Sequence, residues 1–89
     1  MKTNVKNLVG NKGNSIPNQF QITTSKGRYF QSYNSIIVFI PNNGNRIELG
    51  SDWEYSTTTG EYRNLFLNED KKTTERKLKE GIYILNNNL

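Results

Sequence analysis

Ile36-Ile37-Val38-Phe39-Ile40-Pro41-Asn42-Asn43-Gly44-Asn45-Arg46-Ile47-Glu48-Leu49 decides the fold. The first five residues are an unbroken apolar run of strand length. A run of this kind fits a central strand covered on both faces. Pro41 to Asn45 is the clearest turn in the chain. Asn43-Gly44 suits a type I′ hairpin, whose two central residues take positive φ, and a longer loop also fits. Arg46-Ile47-Glu48-Leu49 then alternates polar and apolar and returns antiparallel. Gly50-Ser51-Asp52 ends it.

Working upstream, the alternation continues. Gln19-Phe20-Gln21-Ile22-Thr23-Thr24 puts Phe20, Ile22 and Thr24 on one face, the period of a half-buried strand. Ser25-Lys26-Gly27 turns the chain. Arg28 to Tyr33 returns, with Tyr29, Gln31 and Tyr33 opposite Phe30 and Ser32. Val5, Leu8 and Val9 suggest a short first strand, followed by a Gly10-Asn11-Lys12-Gly13-Asn14-Ser15 loop and an extended Ile16-Pro17.

Downstream the period changes. Thr58-Thr59-Gly60-Glu61 fits a capping box with Thr58 as N-cap. Tyr62, Leu65 and Phe66 follow at i, i+3, i+4, the apolar stripe of a short helix. Lys71 to Glu80 reads as a second, highly charged helix. Leu78 is its main apolar contact, Asp70 or Thr73 its cap and Gly81 its stop. Its expected pairs are Glu75–Lys79 and Arg76–Glu80. Ile82 to Leu85 reads as a last short strand or an apolar tail. A run of strands followed by helices predicts an α+β fold. The expectation is one domain over residues 1–89: an antiparallel sheet of four to five strands, then two short C-terminal helices packed on one face. Residues 1–4 and 86–89 are expected to fray.

Composition limits the chemistry. The 89 residues include no Cys, no His and no Ala, and 14 are Asn. Thiol nucleophiles, histidine acid–base catalysis, zinc fingers and haem or iron–sulfur ligation are thereby excluded. Leu, Ile, Val and Phe total 22, above the roughly 20% level below which disorder is expected. Ten aromatics supplement them, and Trp53 is expected at the centre of the core. Glu48, Asp52 and Glu54 cluster beside a strand end, but no lysine lies between residues 47 and 70 to complete a metal-dependent site; they read as surface acids. The loop around Lys12 lacks the spacing of a P-loop. The expectation is therefore no catalytic residue, no metal, no cofactor and no enzyme activity.

The net charge of +4 hides an asymmetry. Residues 1–47 carry six cations and no acid; residues 48–89 carry six cations and all eight acids. Such a split points to a polyanion or an acidic protein as partner of the first half. Arg28-Tyr29-Phe30-Gln31-Ser32-Tyr33 interleaves basic and aromatic side chains, as sheets that stack single-stranded bases do. The same rings would equally fill a core poor in aliphatics. Lys12, Lys26, Arg28, Tyr29, Tyr33 and Arg46 are accordingly the candidate contacts for a partner or nucleic acid. No run approaches the roughly 20 apolar residues of a membrane span, and no export signal is visible. With no disulfide to form, a cytoplasmic location is expected.

Several strings carry a resemblance: Pro17-Asn18-Gln19-Phe20, Tyr29-Phe30-Gln31-Ser32-Tyr33 with Ser35-Ile36, Trp53-x-Tyr55-Ser56 with Thr58-Thr59, Tyr62, Phe66-Leu67, and a charged helix ending at Gly81. Over Asn18 to Gly81 the chain resembles small proteins of phages, prophages and other mobile elements of low-GC bacteria. The resemblance implies genomic context rather than activity, and carries no catalytic residue. Joined to the lack of catalytic groups, it implies a protein that acts by occupying a target in a bacterial host cell. The first expectation is an inhibitor of a host nuclease or nucleoprotein defence complex, of the anti-restriction or anti-CRISPR type. The alternative is direct RNA or DNA binding through the acid-free half. The third is a phage structural or assembly part.

Overall fold

The computed structural model describes residues 3–10 and 12–89. Met1 and Lys2, in the stretch expected to fray, and Asn11, in the first loop, lie outside them. Six strands form one sheet in chain order: β1 (Asn4–Val9), β2 (Ser15–Thr23), β3 (Gly27–Ser32), β4 (Ser35–Pro41), β5 (Ile47–Leu49) and β6 (Tyr83–Leu85). β1 to β5 form an antiparallel meander, whereas β6 lies parallel to β5. Between those two strands come α1 (Thr57–Leu67) and α2 (Lys71–Lys79). Parallel neighbours need a crossover of a dozen or more residues, and the two helices supply it. The α+β expectation thus holds, with six strands rather than four or five and the last after the helices.

Register decides which side chains meet the helices. Gln21, Phe30, Val38 and Leu49 are consecutive partners across β2 to β5 and share one face. Phe30 stacks on Phe66 of α1, with ring centroids 5.6 Å apart. Ser32 of the same face bonds Thr59 of α1 at 3.1 Å. Leu8, Phe30, Ile37, Val38, Leu49, Trp53 and Tyr83 are the buried core, with Tyr62, Phe66, Leu67 and Leu78 packed against it. Trp53 belongs to this core, as expected, but is its most exposed member at 9% rather than its centre.

β4 departs from expectation. Only its helix side is covered, because both helices lie on one side of the sheet. Ile36 and Phe39 remain half-buried on the other side. Ile37 reaches the core because the β3–β4 register shifts between Phe30 and Gln31, a bulge that re-aims one side chain.

The caps complete the frame. α1 is capped by Ser56, whose Oγ accepts from the Thr59 N–H at 3.1 Å, not by Thr58. The polar run 56–59 offers several equivalent caps, and the chain path out of the Trp53 turn selects the first. α2 is capped by Asp70, and Gly81 follows its end at φ 75°, both as expected. Of the two expected pairs in α2, Arg76–Glu80 forms at 2.8 Å, while Glu75 faces Lys71 at 3.9 Å instead of Lys79.

Candidate binding surface

The uncovered side of the sheet follows from the same registers. Val5, Ile22, Tyr29, Phe39, Glu48 and Ile84 are successive partners across all six strands. They form one row, which crosses about 24 Å at ~4.8 Å per strand. A second row holds Asn7, Phe20, Gln31 and Ile36. Tyr29 stacks on Phe39 with centroids 4.5 Å apart and planes 20° off parallel. Val5 is 58% exposed at one edge and Ile84 37% at the other. The one carboxylate in these rows, Glu48, accepts from the Asn86 Nδ2 at 2.7 Å. Neither row contains a Lys or Arg.

The six candidate contacts do not converge. Tyr29 lies on the open face. Arg28, one residue away, points to the helix side, where its guanidinium sits 5.6 Å from the Phe66 ring centre. Alternation along β3 therefore separates the cation from its aromatic neighbour. Lys12 is exposed in the β1–β2 loop, whose Gly10 and Asn14, but not Lys12, line a groove of about 780 Å³. That groove is lined by Gly10 and Pro17 on one side and by Glu61, Glu69 and Asp70 on the other, carboxylates that would repel phosphate. Lys26 and Arg46 are exposed in loops at the opposite end. There Lys26 lines a groove of about 420 Å³ that runs onto Phe39 and Glu48 of the open face.

Tyr33 does not share a face with Tyr29. β3 ends at Ser32, and Tyr33 turns with φ 54°. Its N–H donates to the Asn18 carbonyl at 2.7 Å, and its carbonyl accepts from the Gln31 Nε2 at 2.6 Å. The ring is left 55% exposed in the β3–β4 turn.

The acids near β5 disperse. Glu48 is on the open face, Asp52 accepts from the Ser35 Oγ at 2.8 Å, and Glu54 pairs with Lys71 at 3.3 Å. Among the described residues, no group of three His, Cys, Asp or Glu side chains is placed to hold a metal.

Two polar clusters escaped sequence reasoning. Arg63 is 1% exposed. Its Nη1 donates to the Trp53 carbonyl, its Nη2 donates to the Asn64 Oδ1 at 2.9 Å, and its guanidinium carbon lies 5.1 Å from the centre of the Trp53 ring. Burial pushes its pKa down, against the pull of Glu54, Glu69 and Glu75. Glu69 accepts from Thr74 at 2.7 Å, Tyr83 at 2.8 Å and Lys77 at 2.8 Å. Burial pushes the Glu69 carboxyl up, but these three donors outweigh it and hold its pKa below the usual value. Lys77 is raised, chiefly by its hydrogen bond to Glu69; Tyr83 is raised, chiefly by burial. The Arg63 cluster ties α1 to the turn at Trp53, and the Glu69 cluster ties the helices to the edge strand β6 through Tyr83. In the sequence they look like ordinary charged helix positions.

Residues 3–81 match the model of a family of unknown function, DUF8033. No curated protein and no solved structure matches the chain. No helix among the described residues is long and apolar enough to cross a membrane.

Proposed function

The chain belongs to the DUF8033 family over residues 3–81, and we propose that it is a non-catalytic binding module that docks a partner protein on its open sheet face. The observation that carries this reading is the row Val5–Ile22–Tyr29–Phe39–Glu48–Ile84, apolar at five of six positions and left uncovered by the two helices. A contiguous exposed apolar patch rimmed by polar residues is the mark of an interaction site. The stacked Tyr29–Phe39 pair gives the face a rigid aromatic centre, the side-chain type that dominates binding energy.

Charge selects the partner class. Nucleic-acid affinity depends on cations placed against phosphates. These rows hold none, and their one charge is a carboxylate. The cations Lys26 and Arg46 stand at one end, so the occupant is a protein that is apolar at its centre and anionic along one margin. The narrower form of this proposal is an inhibitor of a nuclease or nucleoprotein complex, acting in the cytoplasm. The acid-free residues 1–47, which build β1 to β4, support it: a nucleoprotein offers phosphate beside its protein surface.

The test compares capture from a cell lysate by three immobilised forms: the parent chain, Val5→Glu with Ile22→Glu, and Lys72→Glu on the exposed helix surface. Circular dichroism and Trp53 fluorescence check folding. The expected result is a nuclease-resistant captured protein that is lost with the first variant and kept with the second. Equal capture by all three overturns the proposal. So does salt-sensitive binding to oligonucleotides in a fluorescence-anisotropy titration.

A further inference from the structure

A second site lies on the other side of the β3–β4 turn, and it does not rest on the open-face reading. A cleft of about 440 Å³ is lined by residues that include Ser32, Tyr33, Asn34, Asp52, Tyr55 and Thr59. Its base is built: Ser32 and Thr59 are buried, and their hydroxyls bond each other at 3.1 Å. Two tyrosine rings stand at its mouth, Tyr33 at 55% and Tyr55 at 78% exposure. Neither ring is stacked on another aromatic, and neither hydroxyl has a hydrogen-bond partner among the described residues. Two hydrogen bonds hold the Tyr33 backbone at positive φ, a conformation unusual for a bulky residue. The Tyr55 N–H donates to the Asp52 carbonyl at 3.0 Å, which ties the second ring to the acid.

Asp52 supplies the chemistry. It faces the cleft with one oxygen engaged by Ser35, and it forms no ion pair among the described residues. A carboxylate that shares its cleft with two exposed tyrosines, with no cation on the lining, disfavours an anion. It favours a planar cation, which stacks on aromatic faces while its N–H groups fork onto a carboxylate. We propose that this cleft binds the guanidinium of an arginine side chain presented by a partner protein. Asp52 takes the charge, Tyr33 and Tyr55 flank the plane, and Asn34 adds an amide at the rim.

The experiment is an NMR titration of the ¹⁵N-labelled protein with N-acetyl-arginine amide, N-acetyl-lysine amide and N-acetyl-citrulline amide. Citrulline keeps the size and shape of arginine without its charge. The expected result is saturable shifts confined to residues 32–37 and 52–59 with arginine, and about tenfold weaker binding of citrulline, the scale of one ion pair plus one cation–π contact. Lysine, lacking the plane, falls between. Asp52→Asn, which keeps an acceptor for Ser35, is expected to remove the arginine preference. Tyr55→Ala, at a mostly exposed position, is expected to weaken arginine while the fold persists. Equal shifts with arginine and citrulline overturn the proposal, as do arginine shifts scattered over the surface or unchanged in Asp52→Asn. The comparison of the three ligands on the parent chain requires no variant to fold.

Discussion

Replacing Arg63 probes how the helices are fixed to the sheet. Its guanidinium is 1% exposed and bridges the Trp53 carbonyl to Asn64. Truncation to Ala removes both charge-assisted hydrogen bonds, of which the one to the Trp53 carbonyl contributes about 1.5–3 kcal/mol. It also removes a cation–π contact of about 0.5–2 kcal/mol and opens a cavity of the kind that costs about 2–5 kcal/mol. Against this stands relief of the burial cost of the charge, which Nε feels most, having no partner. The terms overlap, and about 3–5 kcal/mol is the expected net loss. Arg63→Met keeps the aliphatic stem and fills most of the space. Its loss is the orphaned Trp53 carbonyl, about 1–3 kcal/mol. A domain of 89 residues has about 4–13 kcal/mol in total, so Ala leaves it near unfolding and Met does not. Urea denaturation followed by the fluorescence of the single Trp53 reads both variants at the affected site. An Arg63→Met variant as stable as the parent, or more stable, would refute the claim that these hydrogen bonds hold the Trp53 turn.

Four further outcomes follow from other parts of the fold. Glu69 has a lowered pKa, so its contribution is present above its ordinary value of 4.5 and is lost as pH falls through the lower folded value. Glu69→Gln should therefore weaken the domain at pH 7 but hardly at pH 2, measured by thermal melts across that range; an equal deficit at both would contradict the assignment. Lys77 and Tyr83 are raised, so their contributions persist below pH 10 and fade as pH climbs through their folded values. Gly50→Ala would place a Cβ 2.3 Å from the Ile36 carbonyl oxygen, and overpacking of this kind costs about 1–3 kcal/mol in a urea titration. Ser56→Ala should cost about 0.5–2 kcal/mol and Thr58→Ala far less, since Ser56 holds the cap of α1; the reverse order in the same assay would restore Thr58 as the cap.

Much of the sheet was legible because period-2 alternation is a local signal. Phe20 to Thr24, Arg28 to Ser32 and Arg46 to Leu49 each carry it, Ile36 to Ile40 shows itself as an unbroken apolar run of strand length, and the turns between them carry Gly or Asn. What covers each face is not local. An apolar run such as Ile36 to Ile40 reads the same whether one side or both are covered, so the open face emerges only once both helices are seen on one side. Bulges defeat counting: the shift at Phe30/Gln31 sends Ile37 inward, and positive φ at Tyr33 breaks its parity with Tyr29. The charge layout identified an acid-free half correctly, yet pleating splits Arg28 from Tyr29. The row of apolar side chains is assembled by five pairings, four of them between strands next to one another in the chain. The fifth joins β5 to β6 across the two helices, and no sequence window contains it.

The central claim is that the open sheet face, rather than the helix surface or a basic patch, meets the partner. A photo-crosslinking side chain, p-benzoylphenylalanine, placed at Tyr29 and separately at Lys72, tests it most directly. The account predicts a discrete crosslinked protein from position 29, insensitive to nuclease treatment, and none from position 72. A crosslink from position 72 alone, or a product at position 29 that nuclease digests, would contradict it.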